Sequence, residues 1–265
     1  AYPATLTDCL NFGNPEKPEA FWEFRECVRG LADAAKALWL KGYENTPVPI
    51  VSGNVSFYNE SPDGTVDPSP IIACVGIIDD VRNAVTMNLK KAGNSIYLIG
   101  PRFDELGGSE YYRTIYGVTG KNVPIVRFDL ERNMIYAVID SIARKLVVSA
   151  HDISNGGLAA TAAEMALAGK GDLGMELSLD SASAEDLSAD RLVFSESSGF
   201  LLECEAGFEG ELETLLKGYG LAIMKLGTVT GSPELLMTHK GKTVLRTDLL
   251  AAKKAWTGGL AEAMK

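Results

Sequence analysis

The sequence predicts an α/β (α+β) protein with a short N-terminal α/β domain and a C-terminal domain that combines a mixed sheet with helices. Short apolar runs typical of strands alternate with segments in which apolar residues recur every three or four positions, as in amphipathic helices. Polar loops containing glycine follow several of these runs. Charged residues and a Gly-Asn turn separate two apolar blocks near residue 90, so we expect domains at 1–90 and 91–265.

Composition restricts the class of partner. The 265 residues are 46% hydrophobic and 23% charged, as in ordinary globular proteins. Because the 25 basic residues are outnumbered by 35 acidic ones, the net charge is negative and we expect no nucleic-acid partner. The sequence shows neither a long uncharged apolar run nor a signal-peptide pattern, so we expect no membrane partner and a cytoplasmic location. Four scattered cysteines, Cys9, Cys27, Cys74 and Cys204, are expected to be buried free thiols.

The first domain is expected to alternate strands and one helix. We predict strands at 4–10, within 47–60 and at 71–78, and an exposed loop at 61–70. Pro18 should open a helix that Gly42 ends. Its apolar residues form one stripe expected to pack on a core: Phe21, Phe24, Val28, Leu31, Ala35 and Leu38.

The second domain is expected to contain more strands and helices. Strands are predicted at 95–100, 174–179, 222–229 and at the end of 194–204, with a hairpin at 235–248 that turns at Lys240 and Gly241. Helices are predicted at 128–146, 208–217 and 249–264. A glycine pair in 103–112 should enter a further helix capped by Ser109.

The stretch 147–169, VVSAHDISNGGLAATAAEMALAG, reads as a strand, a polar loop and a helix. The free amides and dipole of such a helix start favour a phosphate, and Asp152 could hold a Mg²⁺ that bridges phosphate oxygens. The alternative is that Ser154 or Asn155 only caps the helix. His151 is either a catalytic base or, as we favour, a buried histidine bonded to the backbone.

Five stretches carry a resemblance to a known family: TDCLNFGNPEKPE (7–19), PIVSGNVSFYNE (49–60), DELGGSEY (104–111), SAHDISNGGL (149–158) and FSESSG (194–199). Together they resemble the synthetase component of the phosphoribosylformylglycinamidine synthases, also called formylglycinamide ribonucleotide amidotransferases. That family is similar in fold to aminoimidazole ribonucleotide synthetase. The resemblance implies that this chain is a fragment, the C-terminal half of a synthetase, starting inside that half's N-terminal domain.

The resemblance also implies an activity for the whole protein. In purine biosynthesis, this ATP-dependent ligase converts formylglycinamide ribonucleotide and glutamine-derived ammonia to formylglycinamidine ribonucleotide, ADP and phosphate. The resemblance also implies that the catalytic histidine lies in the first half, which this chain lacks. We therefore assign no catalytic residue here and expect the isolated chain to be inactive. Two alternatives remain: a non-catalytic scaffold module, and a stand-alone small-molecule kinase of the same superfamily, against which DCLNFGNPE argues.

The resemblance assigns site residues motif by motif, with ATP/ADP and Mg²⁺ as cofactors. The matched nucleotide-binding residues are Gly107, Gly108, Ser109, Ser154, Asn155, Gly156 and Gly157, with Glu110 in the same loop. The matched metal ligand is Asp152. The matched substrate or cleft-support residues are Asp8, Asn11, Gly13, Ser52, Asn54 and Glu60. Beside Glu196 one departure stands out, since Phe200 replaces the arginine that usually follows Gly199.

The implied partners are the first half of the same synthetase, a glutaminase subunit and a small accessory subunit. Family members pair the sheets of their N-terminal domains edge to edge. Separated from the first half, this chain would expose such a sheet, so we expect the fragment to form a homodimer.

Overall fold

The computed structural model describes residues 1–264, which fold as two compact units, Ala1–Arg82 and the chain from Asn83 onward. Residues 90–94, where the sequence predicts a boundary, are hydrogen-bonded within the second unit. The buried carboxylate of Glu203 accepts hydrogen bonds from the backbone amides of Lys90 (2.9 Å) and Lys91 (3.1 Å) and from the side chain of Asn94 (2.7 Å). A buried charge of this kind is stable only when it is fully hydrogen-bonded, so these contacts fix the segment.

The first unit is a three-stranded sheet with one long helix. Its elements are β1 (Tyr2–Asn11), α1 (Pro18–Ala37), β2 (Ile50–Ser56), the short β3 (Glu60–Ser61) and β4 (Gly64–Thr65), and β5 (Ser69–Ile77). The strand order is β2-β1-β5, with β1 parallel to β2 and antiparallel to β5. The three predicted strands are confirmed, and the predicted loop at 61–70 is exposed but includes the β3–β4 hairpin.

Much of the apolar surface of this unit is exposed. Phe24 of α1 packs edge-on against Phe12, whereas Phe21 is 51% and Val28 43% exposed, so the prediction of one buried stripe is wrong at those positions. Periodicity shows that a helix face is apolar, not that the same chain covers it. The apolar strand β5 is exposed along most of its length. The helix ends at Ala37, and Gly42 follows in a separate turn, contrary to the prediction that Gly42 ends it.

The second unit is a seven-stranded mixed sheet with helices. Its strands are β6 (Ser95–Ile99), β7 (Val147–Asp152), β8 (Gly174–Ser178), β9 (Phe200–Cys204), β10 (Met224–Thr230), β11 (Glu234–His239) and β12 (Lys242–Asp248). Its helices are α2 (Phe128–Ala143), α3 (Gly157–Leu167), α4 (Ala189–Phe194), α5 (Glu209–Gly218) and α6 (Leu249–Ala263). The strand order is β12-β11-β8-β10-β6-β9-β7. The predicted hairpin is confirmed, with Lys240 and Gly241 at positive φ in its turn.

Strand β6 of this sheet is buried on both faces. Along β6, Tyr97 and Ile99 pack with α2 and α5, whereas Ile96 and Leu98 pack with the cluster that contains α3. This alternation follows from the two-residue period of a strand, and it confirms the predicted mixed-sheet domain with helices.

Among residues 1–264, no helix combines the length and apolar character needed to cross a membrane. The four cysteines are free; Cys204 is buried and Cys74 is exposed, so the prediction that the thiols are buried is wrong for Cys74. The side chain of Cys74 lies on β5, whose solvent exposure the sequence did not indicate.

Candidate functional site

Three polar loops of the second unit meet because their strands are neighbours in the sheet. β9 lies between β6 and β7 and runs antiparallel to both, so that Phe200 pairs with Ile99 on one side and Asp152 on the other. Loop A (100–111) leaves β6, loop B (153–156) leaves β7, and loop C (195–199) enters β9 at this same edge. The predicted nucleotide-binding residues, Gly107 to Ser109 and Ser154 to Gly157, are therefore brought together.

Glu196 of loop C joins the other two loops. Its Oε1 accepts a hydrogen bond from the backbone amide of Glu110 and another from that of Gly156, both at 2.8 Å. Glu110 begins a helical turn, and Gly156 occupies the N-cap of α3. A carboxylate is favoured at a helix start because the unpaired amides there carry partial positive charge. The sequence singled out Glu196 but left its role open.

The cap of α3 differs from the alternative considered for it. Ser154 and Asn155 have exposed side chains, and neither makes a side-chain hydrogen bond that caps the helix. The alternative that one of them only caps α3 is therefore wrong. Instead, the amide of Gly156 donates its hydrogen bond to Glu196, which lies 40 residues away in loop C.

Glycines allow close backbone approaches around these loops. Gly156 and Gly157 have φ values of 80° and 64°, where a side chain strains the backbone. A Cβ on Gly157 would lie 2.8 Å from the carbonyl oxygen of Ser195, and one on Gly107 would lie 2.0 Å from that of Lys121. Ser109 accepts a hydrogen bond from the amide of Tyr112 at 3.3 Å, in agreement with its predicted role as a cap.

Arg102 is completely buried and donates hydrogen bonds to the backbone of loop C. Its guanidinium donates to the carbonyl oxygens of Ser197 (2.5 Å), Ser198 (2.7 Å), Gly100 (3.0 Å) and, more weakly, Ser195 (3.4 Å). Burial lowers the pKa of Arg102 to about 10. Sequence reasoning missed this residue, although an arginine directly after the apolar run 95–101 was a usable signal.

A second buried charge, Glu105, fixes loops A and C together. Its carboxylate accepts from Ser197 Oγ at 2.5 Å and from Arg127 at 2.7 Å. Burial alone would raise the pKa of Glu105, but the hydrogen bonds from Arg127 and Ser197 outweigh burial and hold that pKa below its ordinary value. Tyr111 stacks on Phe194 with ring centroids 4.4 Å apart, which adds a contact between loop A and the end of α4.

His151 and Asp152 lie at the end of β7. His151 Nε2 is 2.7 Å from Glu164 and its Nδ1 is 3.2 Å from Asp152, so the expected backbone partner is wrong and the partners are carboxylates. The Asp152 side chain is 61% exposed. Within residues 1–264, no group of three or more histidine, cysteine, aspartate or glutamate side chains is arranged to hold a metal ion.

The predicted substrate-support residues lie in the first unit and are divided between two faces of its sheet. The register places Asn11, Ser52 and Asn54 on one face, since Thr7 pairs with Ser52 and Cys9 with Asn54. Asp8 lies on the other face, over Gly53, whose added Cβ would lie 2.4 Å from the Asp8 carboxylate. There the negative charge of Asp8 adds to burial in raising the pKa of Cys27 on α1.

The remaining two predicted residues, Gly13 and Glu60, lie at a corner of the same unit. Glu60 accepts hydrogen bonds from Lys17 Nζ at 2.7 Å and from the Asn14 amide at 3.3 Å. A Cβ on Gly13 would lie 2.2 Å from the Thr65 side chain, so a larger residue here would force Thr65 to move. This corner borders a depression of about 490 Å³ formed by residues 59–66.

Comparison with known proteins gives consistent matches over the chain. Residues 1–78 match the family model of the AIR synthase related protein N-terminal domain, and residues 91–240 match that of the C-terminal domain. The phosphoribosylformylglycinamidine synthase subunit PurL of Methanothrix thermoacetophila is 61% identical over 265 residues, 100% of this chain and 34% of the relative. Its counterpart from Alkaliphilus metalliredigens is 38% identical over 259 residues, 97% of this chain and 33% of the relative. The chain thus spans about a third of these relatives.

Solved structures share the fold at low sequence identity. Thermotoga maritima PurL complexed with FGAR superposes with a TM-score of 0.73 at 17% identity, covering 94% of this chain and 39% of that one. The hydrogenase maturation protein HypE of E. coli superposes with a TM-score of 0.66 at 17% identity, covering 93% of this chain and 73% of that one. At such identities the likeness shows the fold alone.

Proposed function

Because the chain belongs to the AIR synthase related family, whose N- and C-terminal domain models it matches in order, we propose that it is the C-terminal half of a phosphoribosylformylglycinamidine synthase. The whole protein would convert formylglycinamide ribonucleotide, ATP and glutamine-derived ammonia to formylglycinamidine ribonucleotide, ADP and phosphate. The 61% identity to a PurL subunit along the entire chain is the observation that carries this proposal. The role of the chain would be cytoplasmic purine biosynthesis.

We further propose that the junction of loops A and B binds the phosphates of ATP or ADP. Two backbone amides, of Glu110 and Gly156, converge on one position, where Glu196 Oε1 now lies 2.8 Å from each, and paired amides at helix starts suit phosphate oxygens. The relatives from Thermotoga maritima have been solved as complexes with ADP and ATP. In this chain a bound nucleotide would supply negative charge that ties the loops together, and no catalytic step is assigned to it.

Magnesium fits this site only together with the nucleotide. Mg²⁺ commonly binds one or two carboxylates and completes its shell with phosphate oxygens and water. Asp152 provides one exposed carboxylate beside loop B, and no cluster of three acidic, histidine or cysteine ligands occurs in residues 1–264. Asp152 would therefore hold the ion only when phosphate oxygens share it.

For the first unit we propose substrate or cleft support. Asn11, Ser52 and Asn54 lie on the sheet face opposite α1, and their amide and hydroxyl groups are a suitable set for sugar hydroxyls and phosphate oxygens. A relative of the same fold has been solved with FGAR, which makes that ribonucleotide the substrate to test.

The partners proposed are the first half of the synthetase, a glutaminase subunit and a small accessory subunit. A structure of a PurLQS assembly from Thermotoga maritima contains a protein of this fold. The isolated chain, whose apolar β5 strand is exposed, would pair with a second copy in place of the first half.

The activity is tested by complementation. The chain is mixed with separately produced first half and with the glutaminase, and ATP-dependent formation of the amidine is followed. We expect turnover from the mixture and none from either part alone. Amidine formation by this chain alone would refute the assignment of catalysis to the first half, and no gain from mixing would refute the assignment of the chain.

A second candidate, a scaffold that binds no nucleotide, has one observation in its favour. The amides of Glu110 and Gly156 are already bonded to Glu196. Calorimetric titration with Mg-ADP separates the two functions, because a scaffold predicts no heat of binding and no effect of Asp152→Ala. Binding that Asp152→Ala weakens would favour the nucleotide site.

A further inference from the structure

The anion position between loops A and B is filled by a side chain of the protein itself. Glu196 Oε1 lies 2.8 Å from the Glu110 amide and 2.8 Å from the Gly156 amide. These two amides are the donors proposed above for the phosphates of a nucleotide. One carboxylate oxygen accepting two amide hydrogen bonds at two helix starts forms a charge-assisted arrangement, stronger than one between neutral groups.

The backbone on both sides of Glu196 is held in place. Ser195 and Ser197 are 0% and 1% exposed, and their hydroxyl groups are 2.8 Å apart. Arg102 donates to the carbonyl oxygens of both, and Ser197 Oγ donates to the buried Glu105. The side chain of Glu196 therefore reaches loops A and B from a backbone that is held on both sides.

A carboxylate and a phosphate cannot share these two donors. Each N–H has one hydrogen to give, and two anions this close repel one another strongly outside bulk water. A phosphate must therefore either move Glu196 away or bind beside it with a cation that offsets the charge. Replacing the carboxylate by a neutral amide keeps an acceptor at the same place but weakens this competition, because an uncharged oxygen is a weaker acceptor and does not repel a phosphate.

We propose that Glu196 is the specificity-determining residue of the anion site, an internal carboxylate that occupies the phosphate position and that a nucleotide must displace. The proposal rests on the nucleotide-binding function proposed above and names what controls it. Loops A and B are then held together by Glu196 in the free protein and by phosphate oxygens in the complex, which makes the same pair of amides serve both states.

The experiment compares Mg-ADP and inorganic phosphate binding, by calorimetry, to the wild-type chain and to Glu196→Gln. The glutamine keeps an oxygen that can accept from both amides, and it removes the charge. Exposed Glu211 on α5 gives the matched control, since Glu211→Gln changes the net charge equally at a distance from the loops. We expect Glu196→Gln to bind Mg-ADP at least about tenfold more tightly than wild type, and Glu211→Gln to bind as wild type does.

Each other outcome has a definite meaning. Equal or weaker binding by Glu196→Gln overturns the proposal and leaves the nucleotide site standing, and equal tightening by Glu211→Gln assigns the effect to overall charge and overturns it as well. If none of the three proteins binds Mg-ADP, the nucleotide function fails and this proposal with it. Should Glu196→Gln not fold, Glu196→Ala carries the same expectation. In wild type, Mg-ADP should not accelerate hydrogen exchange at any amide in loops A and B, because a phosphate oxygen replaces the carboxylate as the acceptor.

Discussion

Replacing Arg102 tests whether this buried guanidinium organises the candidate site. Arg102→Met removes the donor from four carbonyl oxygens and leaves an apolar side chain of similar length. Two of the acceptors, on Ser197 and Gly100, are buried and well within hydrogen-bond distance. Each buried acceptor left unsatisfied costs about 1–3 kcal/mol. Burying the charge is itself unfavourable, as the lowered pKa of about 10 indicates, so part of that cost is recovered.

On balance we expect Arg102→Met to lose about 3 kcal/mol of unfolding free energy. Urea unfolding followed by circular dichroism measures it. The control is Arg246→Met, an exposed ion-pair partner of Glu234, for which the loss should stay below about 1 kcal/mol. Hydrogen exchange at the Glu110 and Gly156 amides should also accelerate in Arg102→Met, because Glu196 loses its fixed base. A loss no larger than that of the control, with unchanged exchange at both amides, would refute this account of the site.

Gly157→Ala should lower stability by about 2 kcal/mol, because the residue has a positive φ and its new Cβ would contact the Ser195 carbonyl. The control Gly210→Ala, at a helical position with open space around it, should raise stability by about 0.5–1 kcal/mol. Similar effects of the two substitutions in thermal unfolding would contradict this. The lowered pKa of Glu105 means that its stabilisation is complete above the unfolded-state pKa of about 4.3 and is lost as pH falls through the folded-state value. Wild type should therefore lose stability on acidification below about pH 4.3 more steeply than Glu105→Gln, and parallel pH profiles would show that the hydrogen bonds do not favour the ionised form. Light scattering of the isolated chain should show a dimer that Ile71→Lys, on exposed β5, dissociates, and a monomer at every concentration would exclude pairing through that strand.

Local patterns in the sequence determined most elements of this protein. The order of strands and helices, the strand–loop–helix stretch at 147–169 and the Lys240–Gly241 hairpin all depend on residues close in the chain. Apolar periodicity, helix-forming alanines and residues that tolerate positive φ are local signals, so they can be read without the fold. The limit is visible at α1 and β5, where an apolar pattern did not indicate whether any surface covers it.

Only the tertiary structure decided how the candidate site is built. Glu196 reaches Gly156 across 40 residues and Glu110 across 86, and Arg102 reaches Ser197 across 95. These contacts exist because β6, β9 and β7 are adjacent in the sheet but far apart in the chain, and no local pattern specifies that order. The sequence therefore determined which loops are rich in glycine, and the sheet determined that an internal carboxylate occupies the place where they meet.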